Sequence, residues 1–164
     1  MLRDKSLIPL SHQHQHALAL CVRIERASPI PHNDLGAWQA ELADLFQSEI
    51  SVHFAAEEQI VFSAAEQFEE LKALVQQLIS EHNGLRTMFA KAQEGGLSSD
   101  ETLVLARSLS AHIRTEERQL FERMQQLLSN EELGVLGSEL QSALRESEES
   151  CRLPSATTRL RPAK

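Results

Sequence analysis

Two ten-residue segments of the chain repeat one pattern. His53-Phe-Ala-Ala-Glu57-Glu58-Gln-Ile-Val-Phe62 and His112-Ile-Arg-Thr-Glu116-Glu117-Arg-Gln-Leu-Phe121 both read His-x-x-x-Glu-Glu-x-x-x-Phe. On a helix, residues i and i+4 lie one above the other on the same face. Each segment therefore points an imidazole and a carboxylate in one direction. Two such helices face to face bring together two nitrogens and two carboxylates, the beginnings of a two-metal site. Imidazole and carboxylate together suit iron, zinc or manganese.

Further histidines extend the set. The stripe Leu7, Leu10, His14, Leu18, Cys21 has helical spacing. So do Leu42, Phe46, Ile50, His53, Glu57, Ile60, Val61; then Leu71, Leu74, Leu78, His82, Leu85, Phe89; then Leu105, Leu109, His112, Glu116, Leu120, Met124, Leu127. All follow the 3,4 spacing of a core-facing helix. Histidine is the polar type that recurs on these apolar stripes. Helix formers dominate and strand signals are nearly absent, so the fold class is all-α. The expected architecture is an antiparallel up-down-up-down four-helix bundle with a short C-terminal fifth helix.

The breaks place the histidines at one height. Pro29 and Pro31 end the first helix, and Asn33 or Asp34 can cap the second. Gly95-Gly96 ends the third, and Ser98 or Ser99 caps the fourth. Ser129-x-x-Glu132 is a capping-box pattern that opens a fifth helix to about Glu146. His53 and His82 are 29 residues apart. In one unbroken helix they would stand roughly 43 Å apart, so a shared site requires the chain to reverse near Gln67. The midpoint of His14 and His53 falls near residue 33, and that of His82 and His112 near residue 97, both at the Pro and Gly breaks. Equal distances from a turn mean equal height in such a bundle. His14, His53, His82 and His112 then form one layer, with Glu57 and Glu116 one turn along. Buried unpaired, two carboxylates are costly, and metal cations stabilise them.

The remaining candidates have plainer roles. His12 and His16 fall off the apolar stripe of the first helix and His32 lies in a turn, so solvent is their expected surrounding. Glu58 and Glu117 sit about 100° around their helices from Glu57 and Glu116, as outer partners or exposed groups. Cys21 reads as a small core residue.

The spacing His…His-x-x-x-Glu…His…His-x-x-x-Glu resembles the hemerythrin-like (HHE cation-binding) domain, from about Leu7 to Leu128. Glu81-His82-x-x-Leu85 and the Phe62 that follows His53-Phe54-x-x-Glu57-Glu58 add to the likeness. The resemblance implies a non-haem di-iron centre. Carried over, Glu57 and Glu116 bridge the irons, His14 and His53 hold one, and His82 and His112 hold the other. Each iron then has two nitrogens, one oxygen from each glutamate and a solvent-derived bridge, leaving a position open for a small molecule. Arg86 departs from the oxygen carriers of the family, which have a further histidine there. The implied function is binding or sensing O2, NO or peroxide. Peroxidase or NO-handling activity and iron storage or donation are the alternatives. Ile50, Leu78, Leu85, Leu109 and Ile113 are the expected apolar surroundings of the open position.

Bulk properties narrow the field. The 164 residues suit one domain, expected over 1–147, followed by a disordered tail over 148–164. A net charge of −8 argues against nucleic-acid or anionic-membrane partners. Two cysteines imply no disulfide framework, and a start that turns polar early makes cytoplasmic the expected location. The chain has no tyrosine, which excludes tyrosyl-radical chemistry.

Overall fold

Five helical stretches follow one another, and the polar layer falls at mid-length in the first four. The computed structural model describes residues 2–145 and 154–159. Helix α1 is Ile8–Ala27. Helix α2 runs unbroken over residues 32–65, as His32–Leu45, a π-helical turn Phe46–Ile50, Ser51–Ala56, a second π turn Glu57–Phe62, and Ser63–Ala65. Helix α3 is Glu69–Gln93. Helix α4 covers residues 99–127, as Ser99–Thr115, a π turn Glu116–Leu120, and Phe121–Leu127. Helix α5 is Asn130–Leu144. Helix α1 packs on α4, and α3 packs on both α2 and α4. The described residues are all-helical and form a helical bundle. Among them, no helix is long and apolar enough to cross a membrane.

The ends follow local chemistry. Ser98 and Glu101 form a reciprocal capping box, as do Ser129 and Glu132. Gly95 takes φ +71, and the Gly96 amide donates to the Lys91 carbonyl, closing α3 with a left-handed turn that favours glycine. The chain reverses between Ala65 and Glu69, around the expected Gln67. The start of α2 differs from expectation. His32 is its first residue and neither Asn33 nor Asp34 caps it. Pro31 occupies the N-cap position with φ −58, and its carbonyl accepts from the Asp34 amide, which leaves the asparagine and aspartate inside the first turn.

Two apolar clusters sit on either side of the His/Glu layer. One contains Leu20, Ile24, Trp38, Leu42, Leu85, Phe89, Leu105 and Leu109. The other contains Leu7, Leu10, Val61, Phe62, Leu71, Leu78, Phe121 and Met124, and α5 covers it with Leu136, Leu140 and Leu144. The packing that holds the helices together is thus divided above and below the polar layer. Helix α5 docks closely. A Cβ at Gly137 would lie 2.8 Å from Ser6 Cβ and 2.9 Å from Ser6 Cα. Gly137→Ala is therefore expected to destabilise the fold by about 1–3 kcal/mol, read as a lower thermal midpoint. An unchanged midpoint would mean that the N-terminal segment shifts freely.

Within the expected tail, the described residues 154–159 include a turn. Arg23, paired with Glu41 and lying over the Trp38 ring, also donates to the Thr158 carbonyl at 2.9 Å, and Thr158 is buried. The other tail residues, with Cys151, lie outside the described residues.

Candidate metal centre

Each of the four long helices delivers one imidazole to the layer, and α2 and α4 each add a carboxylate. His14, His53, Glu57 and Glu116 can place one donor atom apiece within 4.8 Å of each other, and so can Glu57, His82, His112 and Glu116. All six expected residues are brought together, and all are buried. The two glutamates belong to both groups. Glu57 Oε1 lies 3.0 Å from His53 Nε2 and 3.5 Å from His14 Nε2, while its Oε2 lies 3.4 Å from His82 Nε2. Glu116 Oε2 is 3.3 Å from His14 Nε2, and its Oε1 is 3.2 Å from His112 Nε2 and 3.8 Å from His82 Nε2. Each carboxylate turns one oxygen to one histidine pair and the other oxygen to the second pair.

These spacings fit cations. Two ligand atoms each about 2.1 Å from one ion stand about 3.0 Å apart at a right angle and about 3.4 Å apart in a tetrahedron. Both carboxylates' oxygens and the Nε2 atoms of His82 and His112 are buried without any aligned hydrogen-bond partner. Buried polar atoms are normally satisfied, so this concentration in one layer asks for an unseen partner.

The outer ring nitrogens explain why the inner ones are available. His14 Nδ1 donates to Glu117 at 2.7 Å, His53 Nδ1 to Gln13 at 2.8 Å, His82 Nδ1 to Glu58 at 2.8 Å and His112 Nδ1 to Glu81 at 2.8 Å. With the proton held outward, a neutral imidazole presents a lone pair inward at Nε2. His14 Nε2 and His53 Nε2 then face each other at 2.9 Å, an arrangement that a shared cation stabilises. The outer acceptors are themselves held. Arg3 binds Glu117 at 2.6 Å, Arg86 binds Glu58 at 2.8 Å, and Gln77 donates to Glu81 at 2.8 Å.

The support follows an internal repeat. The residue before the odd-helix histidine (Gln13, Glu81) serves the histidine of the next helix. The residue after each central glutamate (Glu58, Glu117) reaches across to the other half. Removing such a partner frees the ring to turn or change tautomer. Glu58→Ala is expected to weaken metal binding by about 10–100-fold while the helical spectrum stays unchanged. Unaltered affinity in a metal titration would show that His82 is oriented by packing alone.

Protonation is poised by the same contacts. Burial works against a charged His14, but Glu116, Glu117 and Glu57 outweigh it and raise its pKa well above the usual value. His112 is pushed up to about 10 in the same way, with burial opposed by Glu116, Glu81 and Glu57. Burial would raise Glu57, yet His53, His14 and His82 hold it well below the usual carboxylate range. Glu116 is also lowered, by His112 and His14, against burial and the neighbouring Glu57 charge. Glu117 is lowered to about 2, with His14, Ser11 and Arg3 overcoming burial. Without a cation, protons held on His14 and His112 offset the charge of the two carboxylates.

Some parts were not foreseen. The sequence pattern treated the helices as regular, yet Glu57 and Glu116 each open a π turn. Such turns occur often at functional sites, and nothing in the residue types announces them. Gln13 and Glu81 carry no recognisable signal beyond lying next to a histidine. Glu49, also missed, is buried on the first π turn of α2. His12, His16 and His32 are exposed, as expected. Arg86 pairs with Glu58 and lies 5.5 Å from the Phe54 ring centre, so it braces His82 from outside.

Comparison with known proteins gives one match. The hemerythrin HHE cation binding domain matches residues 9–124, which contain all six clustered residues. No curated protein and no solved structure matches the chain. A cation-binding family match and a buried cluster of histidines and shared glutamates fall on the same stretch of chain. The chain belongs to the hemerythrin HHE cation-binding domain family.

Proposed function

We propose that the four long helices form an antiparallel up-down-up-down bundle holding a bridged pair of non-haem irons. His14 and His53 hold one, His82 and His112 hold the other, and Glu57 and Glu116 bridge them. The observation that supports this most is the split of each glutamate's two oxygens between the two histidine pairs. A single tetrahedral ion would use one oxygen from each and leave a histidine pair idle. The protein binds or senses a small diatomic or a reactive oxygen or nitrogen species.

A ferrous pair supplies electrons and an open position for such a ligand. The chain's own residues then decide what reaches it. A cleft beside His14 and His53 is walled by Ala17, Ile50, Phe54, Leu109 and Ile113, with Gln13 and Glu49 also on it. Three of these were expected; Leu78 and Leu85 are buried in the packing instead and do not line it. Apolar walls admit O2 or NO and disfavour bulky organic substrates. Phe54 lies flat on the His82 ring, 3.7 Å between centres, and shields the second pair from that side.

Stopped-flow mixing of the reduced, iron-loaded protein with O2 or NO tests the reading. An optical change within seconds and no turnover of organic substrates is the expected outcome. A ferrous protein that ignores both gases contradicts it and leaves storage or donation of iron.

A further inference from the structure

The first helix carries more histidine than the buried layer uses. His12 and His16 lie one turn apart on the exposed side of α1, with ring centres 4.7 Å apart. Two imidazoles at i and i+4 project the same way and can share one cation, as the paired histidines of helical zinc sites do. A carboxylate waits beside the second of them. Glu49 is buried, and both its oxygens lie within reach of His16 Nδ1, at 3.2 and 3.1 Å. That spacing is what two ligands of one ion adopt when each stands about 2.1 Å from it.

A buried carboxylate is costly unless paired or bound to a cation. Among the described residues, His16 is the one partner of Glu49, and the His16 side chain is 41% exposed. The π turn Phe46–Ile50 is what carries Glu49 inward at this height. Glu49 also lines the same cleft as His14 and His53. Glu49 thus stands between the two places: it touches the exposed His16 on one side and lines the cleft with the buried His14 and His53 on the other.

The geometry points to a third, exposed site for one divalent transition-metal cation, made by His12, His16 and Glu49, which passes the cation inward to the buried pair. His16 and Glu49 already stand at chelating distance, and His12 joins by rotation of an exposed side chain. An imidazole-rich donor set of this kind selects iron, nickel or zinc over magnesium or calcium. The passing-on rests on the di-metal reading above, whereas the exposed site does not.

The test uses the full chain and Ni2+ as the probe. With the buried centre first loaded with iron, calorimetric titration should show one further equivalent of Ni2+. His16→Ala and His12→Ala should each weaken that equivalent by about tenfold or more, whereas His32→Ala, an exposed histidine elsewhere, should not. His12→Ala removes only an exposed ring, and circular dichroism checks that His16→Ala, which leaves the buried Glu49 without that partner, keeps its helices. In a second arm, iron uptake by the metal-free chain should slow several-fold in the double variant His12→Ala, His16→Ala, with the same final iron content. No further equivalent, or one indifferent to His12 and His16, overturns the site. An unchanged uptake rate overturns its feeding role. Failure of the di-iron reading would show separately, as a wrong final iron content in the unaltered chain.

Discussion

Glu57→Ala is expected to empty the centre of both ions, and Glu116→Ala to do the same. Each of these carboxylates faces both histidine pairs, so its loss would remove an oxygen donor from both ions of the proposed pair. The histidines differ. His53→Ala removes one nitrogen from one side, and His112→Ala one from the other. Those variants should lose the adjacent ion first and weaken the second through the lost bridge. His14→Ala should behave like His53→Ala, whereas His12→Ala and His16→Ala should keep both buried ions, since they are exposed and outside the layer. The check is metal content per chain after dialysis, with circular dichroism to establish that helices remain. A Glu57→Ala protein that retains two ions would remove the bridging role.

Chelation should lower the thermal midpoint steeply without dissolving the helices. A ligand that binds only the folded state stabilises it by RT ln(1 + [L]/Kd), about 4 kcal/mol at a thousandfold excess over Kd. Two ions at that level give about 8 kcal/mol, and at about 2–4 °C per kcal/mol for a chain this size the loss is on the order of 20 °C. The two apolar clusters lie above and below the polar layer and pack without it, so helical content should persist.

Stability and metal affinity both depend on pH through the clustered groups. In the metal-free chain, Glu57 and Glu116 are lowered below the usual carboxylate value of 4.5, so their contribution is present above that pH and is lost as pH falls through their folded values. His112 is raised from 6.5 to about 10, so its contribution is complete below pH 6.5 and is lost as pH rises through about 10. His14, raised in the same direction, adds to that loss. Metal binding displaces these imidazole protons, so affinity grows as pH rises. The difference in midpoint between metal-loaded and metal-free protein should therefore widen from pH 6 to pH 9. A constant difference would mean that no imidazole proton is exchanged for metal.

The six clustered residues were legible because their signal is categorical. A histidine on an otherwise apolar stripe is conspicuous, and Pro29, Pro31, Gly95 and Gly96 mark turns that set His14 level with His53 and His82 level with His112, while the reversal near Gln67 carries no such mark and follows from the histidines themselves. The duplicated His-x-x-x-Glu pattern then supplied the carboxylates. What the pattern could not carry was backbone detail. Helical periodicity assumes a constant turn, and a π turn at Glu57 or Glu116 costs little while it is braced by packing, so propensity does not mark it. The outer partners were legible only in part. Glu58 and Glu117 were placed beside the layer as outer partners or exposed groups, whereas Gln13 and Glu81 act across helices, and a polar residue on a helix surface looks alike in sequence whether it meets water or an imidazole. The start of α2 escaped because two good capping residues follow a proline whose carbonyl does that work first.

The most direct test of the di-iron centre is metal analysis of the protein purified without air, together with its optical spectrum before and after oxidation. Two irons per chain and a charge-transfer band that appears on oxidation are expected. One tetrahedral zinc per chain with no affinity for iron would contradict that expectation.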